Sequence, residues 1–141
     1  MNRTIRLALA ALSAVFLTLF VSGPASAADI TAYAGADWNE TPKATNGGKA
    51  TFKAYGEHLL VTDLEKDGHS TIGLISIGCD SPSCNYYYWN RDGQGTTRDV
   101  DLSLGEGTHI GLKACIGDWK GSATGGIMWD KCSSTWKETS A

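Results

Sequence analysis

Apolar and polar side chains alternate along most of the chain beyond residue 48. Apolar side chains at every second position are typical of half-buried β-strands. In the clearest case, at 109–116, the apolar positions are Ile110, Leu112, Ala114 and Ile116. The alternation predicts strands at 50–55, 59–61, 72–77, 85–90, 99–104, 109–116, 127–132 and 134–137.

Turn-forming residues separate these segments, at intervals of roughly 8–12 residues as in β-sandwiches. No helical stripe follows residue 27. The pattern predicts an all-β fold for residues 49–141, an antiparallel β-sandwich of seven to eight short strands. The Cys…Trp…Cys spacing of immunoglobulin domains is absent, so the prediction is limited to the architecture.

The first 27 residues have the pattern of an export signal. Arg3 and Arg6 precede an uncharged apolar run at 7–21, and Ala25-Ser26-Ala27 has the small-x-small pattern of a cleavage site. The run is shorter than the roughly 20 residues that span a bilayer. The sequence therefore predicts signal cleavage and a secreted, extracellular protein with no membrane association afterwards.

Residues 28–48 carry little apolar periodicity, and their large apolar residues are Ile30, Tyr33 and Trp38. One interpretation is a frayed terminus or an edge strand. The other is a polar N-terminal arm that docks on a partner, with Tyr33 and Trp38 as its anchors. A partner that offers a sheet edge or a groove could supply the hydrogen bonds that such an arm lacks.

Length and charge exclude several classes of protein. At 141 residues the chain fits one compact domain. It carries 12 basic and 15 acidic side chains, and loss of Arg3 and Arg6 with the signal would leave a net charge of −5. An acidic chain without a Lys/Arg cluster repels phosphate backbones and anionic membranes, which argues against nucleic-acid binding.

Four cysteines follow the signal, at Cys79, Cys84, Cys115 and Cys132. An even number in a short exported chain indicates two disulfides, for which three connectivities are possible. We favour Cys79–Cys84 and Cys115–Cys132, because each pair flanks turn-forming sequence. The spacing differs from that of paired CxxC zinc knuckles, and an oxidising compartment argues further against zinc.

No pattern of catalytic or metal-binding residues emerges. Asp63 to Gly68 imitates the start of a calcium loop, but position 74 is Leu where a bidentate Glu is required, so a solvated hairpin turn is expected. The three histidines lack metal-ligand spacing, and no G-x-S-x-G motif is present. Asp99 and Asp101 share a strand face directed to water. We expect neither an enzyme nor a cofactor or metal site.

The aromatic run Tyr86-Tyr87-Tyr88-Trp89 cannot place all four rings in one core, because successive strand side chains point to opposite faces. One interpretation gives one pair to the core and packs the other under neighbouring loops. In the other, Tyr86 and Tyr88 face outward and bind a partner, since exposed aromatics are common at protein interfaces and in sugar-binding modules.

Several short segments between Tyr55 and Trp136 carry a family resemblance. They are Ala54–Leu59 (AYGEHL), Asp67–Ser70 (DGHS), Tyr88–Asn90 (YWN), Gly95–Leu102 (GTTRDVDL) and Lys113–Cys115 (KAC). The chain resembles small exported proteins of actinomycetes, and among these the small adaptor subunit of umbrella toxin particles. The resemblance implies a β-sandwich that binds a large repeat-containing toxin chain. It also implies an N-terminal arm, here residues 28–48, that enters a groove on the trypsin-like domain of a lectin subunit.

Three hypotheses on function follow. The first is a secreted, non-catalytic adaptor that binds other exported proteins through its arm and its sandwich surface. The second is a carbohydrate- or surface-binding module that uses exposed aromatics. The third is an inhibitor of an exocellular enzyme, which would present the disulfide-pinned loop between Cys79 and Cys84 with little loss of entropy.

Overall fold

A computed structural model describes residues 27–35 and 47–141 of the chain. Within these ranges the fold is all-β, with eight strands and no α-helix. The strands are β1 (Ile30–Tyr33), β2 (Gly48–Lys53), β3 (His58–Asp63), β4 (Ser70–Ile77), β5 (Asn85–Asn90), β6 (Thr97–Asp101), β7 (His109–Gly117) and β8 (Lys137–Ser140). Single-turn 3-10 helices at Pro82–Cys84 and Trp129–Lys131 complete the elements.

The strands form two antiparallel four-stranded sheets. Sheet I has the order β1-β2-β3-β6, and sheet II has the order β5-β4-β7-β8. The predicted disulfide-stabilised β-sandwich is confirmed.

The core lies between the sheets and is built from alternate positions of the central strands. Phe52, Leu59 and Val61 of sheet I and Ile75 of sheet II are fully buried in it. Gly73 faces the same core, where an added Cβ would lie 2.8 Å from Cγ2 of Val61. The close approach of the sheets at this point therefore requires glycine.

Sheet II carries a second layer on its outer face. The chain from residue 118 to residue 136, between β7 and β8, lies over this face, and we call it the covering segment. A smaller apolar cluster fills the space beneath it, with Ile72, Trp89 and Cys115 from the sheet and Ile127 from the segment.

The N-terminal boundary of the sandwich differs from the prediction. Residues 30–33, placed in a polar arm at 28–48 by the predicted domain division, form edge strand β1, which pairs with β2 in sheet I. For these residues the structure agrees with the alternative interpretation, an edge strand. Ala32 and Ala34 are buried against the core, although alanine is too small to give a clear periodic signal. The sandwich therefore begins with β1 and not at residue 49. Residues 1–26, which hold all but the last residue of the predicted signal, and residues 36–46, which include Trp38, lie outside the described residues.

Two predicted strands are also wrong. Residues 127–132 hold one isolated bridge, between Gly117 and Ile127, and a 3-10 turn. Residues 134–137 end the covering segment, and β8 begins only at Lys137. Their apolar side chains cover a sheet instead of extending one. In the described part of the chain, no helix is long and apolar enough to span a membrane.

Candidate functional site

Both predicted disulfides are present, Cys79–Cys84 and Cys115–Cys132. The first closes the exposed loop between β4 and β5, and the second ties the covering segment to β7. Two disulfides fit an extracellular or otherwise oxidising environment.

The aromatic run of β5 is divided between the two faces of sheet II. Tyr88 lies opposite Gly73, packs half-buried against the core and has the guanidinium of Arg98 5.8 Å from its ring centre. Tyr86 lies on the same side but is 49% exposed. Of these two tyrosines, both predicted to bind a partner, only Tyr86 is therefore about half exposed to solvent.

Tyr33, the other described residue predicted to bind a partner, lies near the end of β1 opposite Lys49. It is half-buried and lines a narrow cleft of about 70 Å³ between β1 and residues 133–137. The structure thus holds Tyr33 in the sheet, separate from Tyr86.

Three tryptophans outside this prediction are exposed on the covering segment. Trp119, Trp129 and Trp136 are 41%, 55% and 38% exposed, and we call them together the Trp-rich face. Each contacts a side chain from the outer side of sheet II, so all three lie on one surface. The pairs are Trp119 with Trp89 (ring centres 5.2 Å apart), Trp129 with Tyr87 (6.3 Å) and the Trp136 ring centre with Nζ of Lys113 (5.4 Å).

Hydrogen bonds fix the covering segment along its length. The indole N–H of Trp89 donates to the carbonyl of Ala123 at 2.8 Å. Backbone N–H groups of Met128 and Ser133 donate to carbonyls of β7 at 3.0 and 2.8 Å. Gly126 has φ +87°, and a Cβ there would lie 1.7 Å from the Asp118 carbonyl oxygen, so glycine is required for this close approach.

A groove of about 590 Å³ opens on the Trp-rich face. Trp129 and Trp136 line it together with polar side chains and the Cys132 half of the disulfide. Its polar lining consists of Asn85, Lys113, Asp130, Ser133 and Ser134. Its volume lies within the range of about 300–1,000 Å³ that is usual for ligand sites.

Each of the three histidines lies beside an aspartate from another part of the chain. The separations of Nδ1 and Oδ1 are 2.6 Å for His58–Asp99, 2.8 Å for His69–Asp118 and 3.5 Å for His109–Asp80. The hydrogen bond to Asp99 raises the pKa of His58, and that to Asp118 raises the pKa of His69. These pairs hold neighbouring elements together. Within residues 27–35 and 47–141, no group of three or more His, Cys, Asp or Glu side chains could hold a metal ion.

The predicted solvated turn at 63–68 contains one buried carboxyl. Asp63 ends β3 and is 1% exposed, and the backbone N–H of Glu65 donates to its Oδ1 at 3.2 Å. Burial raises the pKa of Asp63. A second correction concerns the path of the chain: residues 63–68 connect β3 of sheet I to β4 of sheet II and so do not form a hairpin turn. Lys66 and Asp67 are exposed, as expected for a solvated turn.

The Trp-rich face had a signal in the sequence. Three of the chain's five tryptophans fall between residues 119 and 136, in a stretch that also holds three glycines. Three tryptophans so close together in a turn-rich segment are unusual for a strand, because the alternation of a strand would bury every second side chain.

No family model, curated protein or solved structure matches the chain.

Proposed function

We propose that the protein is a secreted, non-catalytic adaptor that binds other exported proteins through its Trp-rich face. One observation carries the proposal: three half-exposed tryptophans lie on the same side of sheet II. Tryptophan is enriched at binding hot spots, and large aromatics grouped on one surface are typical of interaction sites.

The setting of these rings favours binding as well. The Cys115–Cys132 disulfide and the hydrogen bond from Trp89 to Ala123 hold the segment that carries them. A surface that is ordered before binding loses little conformational entropy in the complex, so more of the contact energy remains as affinity.

An arginine extends the face beside Trp119. The guanidinium carbon of Arg91 lies 4.8 Å from the centre of the Trp119 ring. Arginine and tryptophan are two of the three residue types most enriched at hot spots. The pair offers a partner a charged, planar group next to an apolar ring, which suits a protein surface of mixed polarity.

The resemblance to umbrella toxin adaptors suggests which partners to test first. They are a repeat-containing toxin chain and the trypsin-like domain of a lectin subunit. In that arrangement Trp38 and Tyr33, which ends β1, would provide a second contact, and Tyr86 would extend the sandwich surface. The disulfides support the proposed export of the protein.

The experiment is co-purification of the tagged protein with other exported proteins from the culture fluid of the producing organism. The double variant Trp129→Ala/Trp136→Ala should lower recovery of at least one partner about tenfold or more, since truncation of a hot-spot residue weakens the binding free energy by about 2 kcal/mol or more. Tyr55→Ala is the matched control, because Tyr55 is 98% exposed but lies on the β2–β3 turn of sheet I. Equal recovery with both variants would contradict the proposal.

A further inference from the structure

The groove between Trp129 and Trp136 differs from an ordinary apolar docking surface. Its floor contains Leu74, which is 3% exposed, and Asn85 and Lys113 from the outer face of sheet II. Polar groups contribute at least as much of its lining as apolar groups do. A lipid or a purely hydrophobic peptide would leave these groups without hydrogen-bond partners, which is unfavourable.

The polar groups include donors and acceptors in close succession. The Asn85 amide can donate and accept, the Lys113 ammonium donates, the Ser134 hydroxyl does both, and the Asp130 carboxylate accepts. A ligand that suits this mixture carries several neutral groups that each donate and accept. Hydroxyl groups have this property.

An anionic ligand suits the groove less well. Nζ of Lys113 donates to the Ser134 carbonyl at 3.4 Å and lies over the Trp136 ring. Contacts within the protein therefore already use part of its capacity to donate hydrogen bonds and to attract a negative charge. The Asp130 carboxylate lies in the same groove and would repel a second negative charge. A neutral ligand avoids this repulsion.

Contacts within the protein position both indole rings. Trp129 packs edge-on against Tyr87, and Trp136 lies against Lys113 and close to Gly111, where an added Cβ would lie 3.2 Å from the indole. Rings that are held in this way can contact the apolar C–H surface of a ligand while its hydroxyl groups meet the polar floor. A pyranose sugar combines these two kinds of surface.

We propose that the groove between Trp129 and Trp136 binds a pyranose saccharide. The inference rests on the proposed function for the location of the binding face and deepens it, because it names a glycan as the chemistry recognised there. A groove of about 590 Å³ leaves room for a short oligosaccharide.

The test is titration of the whole exported protein with neutral oligosaccharides, namely cellotetraose, chitotetraose, maltotetraose and mannotetraose. At least one should change the tryptophan fluorescence saturably and show saturation-transfer NMR signals from its ring protons. Trp129→Ala and Trp136→Ala should each weaken binding about tenfold, as expected for loss of an aromatic contact. Asn85→Ala should weaken it by a smaller factor.

Trp119→Ala is the matched control, because it removes an exposed tryptophan of the same face that does not line the groove. It should leave affinity for the sugar within about twofold. Circular dichroism identifies any variant that does not fold, and Trp129→Phe, which keeps a ring, should then retain part of the binding.

The outcomes separate the two proposals. Absence of fluorescence and NMR signals with all four sugars at millimolar concentration would overturn the saccharide site, and so would equal losses in the Trp119 and Trp129 variants. If partner recovery still fell in the Trp129/Trp136 variant, the adaptor function would stand without it. If sugar binding depended on the groove but partner recovery did not, the adaptor function would fail and the saccharide site would stand.

Enzymatic deglycosylation of a recovered partner distinguishes a protein-linked glycan from a free polysaccharide.

Discussion

The two sheets share one core but differ on their outer faces. Sheet I presents polar side chains to solvent, and threonine hydroxyls pair across its strands at 2.9 Å, Thr31 with Thr51 and Thr62 with Thr97. On the outer face of sheet II, by contrast, an apolar cluster is buried: Ile72 is 0% exposed and lies beneath the covering segment.

The strands show this difference directly. In β3 buried and half-buried positions alternate, whereas β4 is buried at six consecutive positions, 71–76. A strand that is apolar on both faces needs a layer on each side. Here the second layer is an irregular segment, and the exposed tryptophans lie on its outer surface. The candidate binding surface is therefore a consequence of covering sheet II.

The largest expected effect comes from removing the ring on which the covering segment packs. Trp89→Ala should lower the free energy of unfolding by about 3–5 kcal/mol, because it leaves a cavity under the segment and removes a hydrogen bond to Ala123. Leu60→Ala, at a half-buried position on the outer face of sheet I, should lower it by about 1 kcal/mol.

Urea denaturation measures both variants, and Trp89→Phe provides an intermediate if the alanine variant does not fold. If the two alanine variants lost similar amounts of unfolding free energy, packing of the covering segment on the outer face of sheet II would not contribute to stability as proposed.

Removal of the disulfides should have the next largest effect. One disulfide holds the covering segment and the other closes the loop between β4 and β5, so their removal compares these two regions. Replacing Cys115 and Cys132 by Ala should lower the free energy of unfolding by about 3 kcal/mol, and replacing Cys79 and Cys84 by about 2 kcal/mol, because the first bridge closes the longer loop. Only the first pair should also accelerate hydrogen exchange at the Met128 and Ser133 amides, which bond to β7. Faster exchange there in the Cys79/Cys84 variant would contradict this separation.

Much of the fold follows from local pattern, since alternation places the central strands β2, β3 and β7 correctly. Strand β1 escapes this reasoning, because its buried positions include Ala32, followed by Ala34 at its end. An alanine adds little to a hydrophobic pattern, although it is fully buried when a neighbouring strand lies against it. An edge strand was therefore only one of two interpretations of residues 28–48, because the pairing with β2 is a long-range contact that the residues of β1 do not specify.

The candidate site was harder to predict for a related reason. Ile127 and Trp129 are two residues apart and imitate a strand, but Ile127 is buried beneath the segment and Trp129 is exposed above it. Which apolar face of a sheet needs a cover depends on the tertiary arrangement. The disulfide partners were predictable, because they flank turns; the surface that one of them supports was not.

The smallest expected effect is electrostatic and compares one histidine pair from each region. His58–Asp99 joins β3 to β6 on the open face of sheet I, and His69–Asp118 joins the start of β4 to the covering segment. The aspartates raise both histidine pKa values above the ordinary 6.5. Such pairs stabilise the folded state fully below the unfolded-state pKa of about 6.5, and the stabilisation is lost as pH rises through the higher folded-state pKa.

The melting temperature should therefore fall slightly as pH rises from about 6 to about 8, and His58→Gln and His69→Gln should each flatten part of this fall. The effect should be small, because both pairs are exposed enough to be screened by solvent. The two histidine variants should differ in the rate of amide hydrogen exchange within the covering segment. Loss of the His69 pair should speed exchange at Asp118, whose N–H bonds to Gly126, whereas loss of the His58 pair should not. If His58→Gln had the same effect at Asp118, the two outer faces would be coupled and the covering segment would not be an independent layer.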